Sequence, residues 1–148
     1  MNIEQPTSNN ERRSSEERAE GRRAEKRYDL EDRLLAYAVM IVRLIECMSR
    51  SRAGAHVAGQ LLRSGTSPLS NHGEAESAES PQDFVHKLRI CLKELRESKR
   101  WLRLIKGVPL ISPPSRVDPV LAETEELIKI FVASIRTAER RQGALGQP

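Results

Sequence analysis

"SPQDFVHKLRICLKELRESKRWLRLIKG", residues 80–107, is the stretch whose reading decides the fold. It opens with a helix-start signal: Ser80 as N-cap, Pro81 at the first helical position, and Asp83 in the first turn. Phe84, Leu88, Cys91, Leu95, Ser98, Leu102 and Ile105 then recur at alternating spacings of four and three, which is one seam of a helix that stops near Gly107. A seam this long needs other helices to bury it.

Two further stripes run along the same helix. Ile90, Glu94, Glu97, Trp101 and Leu104 lie roughly 120° to one side of the seam and mix apolar bulk with acids, the composition of an oligomer interface. Arg89, Lys93, Arg96, Arg100 and Arg103 lie about 140° to the other side and are all cationic. From Pro81 to Lys106 there are eight Lys/Arg and three Asp/Glu, a net +5, against +4 for the whole chain. Like charges at i,i+4 repel by a few tenths of a kcal/mol per pair in an isolated helix, so compensation is expected. Three sources fit: acids of the same chain, phosphate backbone of RNA or DNA, or acids of a second subunit.

Outward from this helix the periodicity supplies three partners. Helix one is expected from Asp29 to about Arg50, with Leu30, Leu34, Tyr37, Ile41, Leu44 and Met48 facing the core. Leu35, Val39 and Val42 put apolar groups on its far side, which implies a contact beyond one bundle. Helix two is expected from about Ala53 to Ala78, weakened by Gly59, Gly65, Pro68 and Gly73. Either it kinks between Ser64 and Pro68 or it breaks into two short helices. After the proline-rich loop "GVPLISPPSRVDP", Asp118 caps helix four, with Pro119 at its first position and Leu121, Thr124, Ile128, Phe131, Ile135 and Ala138 along its stripe. The expected fold is therefore all-α: an antiparallel up-down four-helix bundle over residues 28–141.

The ends read differently. Residues 1–27 hold seven Lys/Arg and six Asp/Glu and almost no aliphatic bulk, so they are expected to form a disordered charged tail, with 142–148 as a flexible C-terminal tail. With 38% hydrophobic residues but only 3% aromatic, the core must be built from Leu, Ile, Val and Ala. Cys47 and Cys91 lie in apolar runs without C-x-x-C spacing and read as buried thiols in a reducing compartment. The longest apolar run, Leu34–Val42, is nine residues, and a membrane span needs about 20. A cytoplasmic protein with no membrane contact is expected.

Catalytic patterns are missing. No H-E-x-x-H occurs, the Glu-x-x-His pairs of a di-iron bundle are absent, and "GAHVAG" continues with Gln60 and Leu61 where a phosphate loop requires Lys and Ser/Thr. His56, His72 and His86 read as surface or packing residues, and Ser64, Ser67 and Ser70 as local backbone bonding. No cofactor, metal site or catalytic residue is expected, and the chain reads as non-enzymatic.

Four segments, "YDLEDRLLAYAV", "AGQLLRSGTSPLSNHGEA", "DFVHKLRICLKELRESKRWLRLI" and "ELIKIFVASIRTA", resemble in order the helices of the bacterial four-helix-bundle proteins first described from open reading frames in 23S rRNA intervening sequences. The likeness spans about residues 28–138. It is most specific in "QLLRSGTS" with Asn71 and Glu74, and in the "KE..ES..WLRL" run. The resemblance implies a ring-like homo-oligomer, typically a pentamer. It also implies kinship with retroelement accessory proteins that engage nucleic acid and a reverse transcriptase through a basic barrel. At His72 and Arg100 the family more often has tyrosine. The expectation from all of this is a nucleic-acid-associated adaptor using Arg89, Lys93, Arg96, Arg100 and Arg103, with a protein-only scaffold as the alternative.

Overall fold

Ser80 performs the capping its position promises: its Oγ accepts the Asp83 backbone N–H at 3.1 Å and its carbonyl accepts from Phe84. Pro81 then opens a helix that runs unbroken to Gly107. The computed structural model describes residues 8–146, in which four long helices follow one another: α1 (Ser8–Glu46), α2 (Arg52–Glu76), α3 (Pro81–Gly107) and α4 (Asp118–Leu145). The expected all-α fold is observed, and no strand occurs among the described residues.

Cross-helix pairs fix the topology. Between α2 and α3 they are Arg63 with Glu97, Ser64 with Ser98, Pro68 with Cys91, and Glu74 with Lys87. As the number rises on one helix it falls on the other, which is antiparallel register. The α3–α4 pairs, Arg89 with Glu139, Lys99 with Glu125 and Lys106 with Asp118, descend in the same way. Tyr37 closes α1 onto α4 by bonding Thr124 at 2.7 Å. Two glycines set how closely elements approach. A Cβ at Gly65 would come within 2.8 Å of the Ile41 side chain, and one at Gly54 would collide with the Ser49 carbonyl.

The core follows the expected seams, with local differences. Leu34, Tyr37, Ile41, Leu44 and Met48 are buried on α1 and its exit, and Leu88, Cys91, Leu95, Ser98, Leu102 and Ile105 on α3. On α4 the buried set is Val120, Thr124, Leu127, Phe131 and Ile135, one position removed from the expected Leu121 and Ile128. Leu110, Ile111 and Val117, from the proline-rich loop and a turn of 3-10 helix at Pro114–Val117, are also buried. Full burial of each aliphatic side chain contributes about 1.5–3 kcal/mol.

One buried hydroxyl comes from each helix. Tyr37, Ser64, Ser98 and Thr124 are all at most 1% exposed. Tyr37 bonds Thr124, Ser98 bonds Ser64 at 2.9 Å, and the Ser98 and Thr124 hydroxyls also reach their own helices' Glu94 and Val120 carbonyls. Burial outweighs these bonds in its effect on Tyr37 and pushes its phenol up to about 12. Burial likewise raises the Cys91 thiol to about 12, so it stays protonated and inert.

Several expectations are corrected. α1 begins at Ser8, not Asp29, so residues 8–24, assigned by composition to a structureless tail, are helical, with exposed side chains over residues 9–24. Their Ala, Glu and Arg are strong helix formers, which the burial argument alone overlooks. Residues 1–7 lie outside the described residues. The chain divides into two units, one up to Arg33 and one from Leu34 that holds the bundle. Of the two forms expected for α2, the break into two short helices is excluded: α2 is one helix through Pro68, which is buried against α3 so that packing offsets its local cost. Asp118 is not a cap; Val117 precedes α4 without a side-chain cap, and Asp118 instead pairs with Lys106 at 2.6 Å. α4 continues to Leu145, past the expected start of the C-terminal tail. Cys47 is exposed, because α1 ends at Glu46 and the thiol falls in the turn beyond it.

Candidate nucleic-acid interface

Ion pairs tie α3 to a neighbour on each flank, and those neighbours sort its charges. On the α4 side, Arg89 meets Glu139, Lys99 meets Glu125 at 3.4 Å and Lys106 meets Asp118. The α4 acids at 118, 125 and 139 are seven and fourteen residues apart, hence nearly on one line of that helix. On the α2 side, Lys87 meets Glu74 at 2.6 Å, and Glu97 accepts Arg63 of α2 at 3.1 Å. The glutamate bond raises the Lys87 ammonium above its ordinary range.

Lys93, Arg96, Arg100 and Arg103 are the remainder. All four are exposed, and none has an ion pair among the described residues. They lie within eleven residues, about 15 Å of helix from first to last. Exposed ion pairs contribute little to stability, but here they decide where positive potential is left standing. Of the five sequence-predicted cations, Arg89 is therefore partly neutralised and the other four form a continuous unneutralised strip.

Two residues of the second stripe, Glu97 and Trp101, have partners within the chain. Ile90, Glu94, Glu97 and Trp101 are half-buried along the α2 side of α3, and Leu104 is exposed. Glu97 Oε1 accepts the Trp101 indole N–H at 3.2 Å besides Arg63. His56 of α2 stands edge-on to Trp101, with ring centroids 6.3 Å apart. Sequence reading placed Trp101 and Glu97 on one face but missed Gln60, Arg63 and His56, which complete the cluster. It also missed the α4 acids, although their seven-residue spacing was available as a signal.

The remaining histidine of interest is internal. His72 is buried, meets Phe131 in a T-shaped contact and lies 3.5 Å from Glu76, so it acts in packing. No group of three metal-ligating side chains occurs among the described residues, and no helix there is long and apolar enough to cross a membrane.

A second uncovered surface has the opposite chemistry. On α1, Leu35, Val39 and Val42 are 51%, 39% and 42% exposed, and Leu62 of α2 is 43% exposed. The three α1 residues share one face, some 145° from the core seam. Arg43 and Glu46 are exposed on the same helix.

Comparison with known proteins agrees with this architecture. The family described as 23S rRNA-intervening sequence protein matches residues 26–133. A crystal structure of a protein with unknown function from the S23 ribosomal protein family of Bacteroides thetaiotaomicron is 33% identical. The likeness covers 75% of this chain and 98% of that one, with a TM-score of 0.68. No curated protein matches.

Proposed function

The chain belongs to the 23S rRNA-intervening sequence protein family, and from that premise we propose that it is a non-enzymatic, self-associating adaptor that binds nucleic-acid backbone along α3. The observation that carries this reading is the sorting of charge. Lys87, Arg89, Lys99 and Lys106 each meet an acid, whereas Lys93, Arg96, Arg100 and Arg103 stand in line without one among the described residues. Cations left unneutralised at helical spacing attract a polyanion, and each phosphate they neutralise releases counterions to solution. A phosphate backbone supplies negative charge along its whole length, matching a strip better than a point. Contacts of this kind carry no base information, so binding is weakly sequence-specific.

Self-association is assigned to the apolar face of α1. Leu35, Val39 and Val42 form an exposed apolar stripe on a helix whose other side is already in the core, and such a helix has a partner on two faces. The same stripe favours the second reading, a scaffold that meets only protein. In either reading the protein is placed in the cytoplasm, beside whatever nucleic acid or protein it serves.

Charge reversal separates the two. Anisotropy of a short labelled RNA, titrated with protein at low salt, is expected to show binding that disappears when Lys93, Arg96 and Arg103 become Glu. Reversal of the paired Lys87 and Lys99 is expected to leave most of the affinity. Equal losses from both sets, or no binding by the wild type, would leave the scaffold reading.

A further inference from the structure

Trp101 is the chain's one tryptophan, and it sits one step round α3 from the cation strip. On a helical wheel Arg100 and Trp101 are about 100° apart, with Leu104 projecting between them. Leu104 is exposed and Trp101 partly so. The indole is braced. Its N–H donates to Glu97 Oε1, the same oxygen takes Arg63, and Arg63 also donates to Gln60 Oε1 at 3.0 Å. His56 stands at 82° to the indole plane. The ring thus has its polar edge satisfied and its orientation held, so little conformational freedom is left to lose on binding.

A held, partly open aromatic beside unneutralised cations is what a single-stranded nucleic acid requires: cations for its phosphates and a π-face for an unstacked base. In a duplex the base faces are covered by their neighbours, and the aromatic has nothing to stack on. Of the other described aromatic side chains, Tyr37 and Phe131 are fully buried, and half-buried Phe84 lies in the first turn of α3, more than two turns from the four cations. A second copy of the chain docked over Trp101 and Leu104 would crowd the exposed Arg100 at their edge and would have to bring an acid to that spot. A polyanion brings negative charge along its length.

We infer that Trp101 is a stacking platform for one unpaired base of a single-stranded RNA or DNA whose backbone lies along Lys93, Arg96, Arg100 and Arg103. The inference rests on the phosphate-binding reading above and adds to it a preference for single strands. One base per chain is engaged, through a π-face that every base has, so the site tolerates any sequence.

Because Trp101 is the sole tryptophan, its intrinsic fluorescence reports the site directly in the full-length protein. Three probes are titrated at low salt: an oligothymidine of about ten nucleotides, the same oligomer with abasic sites in place of its bases, and a DNA duplex. The oligothymidine is expected to quench Trp101 and to bind about fivefold or more tighter than the abasic oligomer. The abasic oligomer and the duplex bind without quenching. Trp101→Leu is expected to lower affinity for oligothymidine to that of the abasic oligomer and to leave the latter unchanged. Should this variant fail to fold, the comparison of the two oligomers on the wild type decides alone. Equal affinity for both oligomers with unchanged emission overturns the stacking platform and leaves the phosphate strip intact. Absence of binding to all three probes overturns both. Emission that changes with protein concentration alone, together with a lower oligomer mass for Trp101→Leu, overturns the inference in favour of a seam between copies.

Discussion

The outward faces of α1 and α3 both lie opposite a well-formed core seam, yet their chemistry is opposite. α1 presents Leu35, Val39 and Val42 to solvent; α3 presents Lys93, Arg96, Arg100 and Arg103. Inward, the two helices are alike, with aliphatic residues at spacings of three and four and one buried hydroxyl each, Tyr37 and Ser98. Folding therefore makes the same demand on both helices, and the difference between them lies outside that demand. An apolar face left open fits a protein surface that can exclude water from it. A cationic face left open fits a partner carrying negative charge. The neighbouring helices sharpen the contrast, since α2 and α4 supply acids to cations on the flanks of α3 and none to its crest.

The inward likeness is tested by the largest effects. Leu95→Ala in α3 and Ile41→Ala in α1 remove fully buried side chains, and each is expected to cost about 2–5 kcal/mol in denaturant unfolding. A much smaller loss at Ile41 would mean that α1 is not part of the same core. Next comes the hydroxyl level. Tyr37→Phe leaves Thr124 without its cross-helix partner and is expected to destabilise by about 1–2 kcal/mol.

The same substitution changes the response to alkali. The Tyr37 phenol is raised from 10.0 to about 12 in the folded protein, so the folded state holds its proton more tightly than the unfolded chain. Its contribution to stability is complete below pH 10 and is lost as pH rises through 12. Cys91, raised from 9.0 to about 12, acts in the same sense over a window that opens lower. Melting curves between pH 9 and 12 are expected to fall for the wild type and to fall less for Tyr37→Phe.

The outward difference is tested by substitutions that hardly touch folding. Val39→Glu and Arg96→Glu are each expected to change unfolding free energy by no more than about 0.5 kcal/mol. Their effects on partners diverge. Val39→Glu should lower the mass seen by light scattering and keep nucleic-acid binding per chain, while Arg96→Glu should do the reverse. A single variant that removed both properties would merge the two faces into one site.

Much of this was legible in the sequence because it depends on local spacing. The start of α3 at Ser80, its seam, its cationic stripe and the apolar far side of α1 all follow from residues three and four apart. What the sequence hid depends on which helix lies beside which. Asp118 looks like a cap until Lys106 is placed next to it, and Pro68 looks like a break until its contact with Cys91 is known. The division of the basic stripe into a neutralised Arg89 and four free neighbours needs Glu139 of α4, fifty residues away along the chain. The N-terminal half of α1 was missed for a different reason. Its residues favour helix locally while offering nothing to bury, and the reading weighed only burial.

The most direct test of the central claim is the slope of log affinity against log salt for a short single-stranded RNA. With Lys93, Arg96, Arg100 and Arg103 each neutralising one phosphate, the slope is expected to be about −3, at roughly 0.7 per contact. Arg96→Glu should bring it closer to zero by about one such contact or more, whereas Lys99→Glu should leave it nearly unchanged. A slope near zero, or the same change from Lys99→Glu as from Arg96→Glu, would contradict the claim that the crest of α3 is where this protein holds a phosphate backbone.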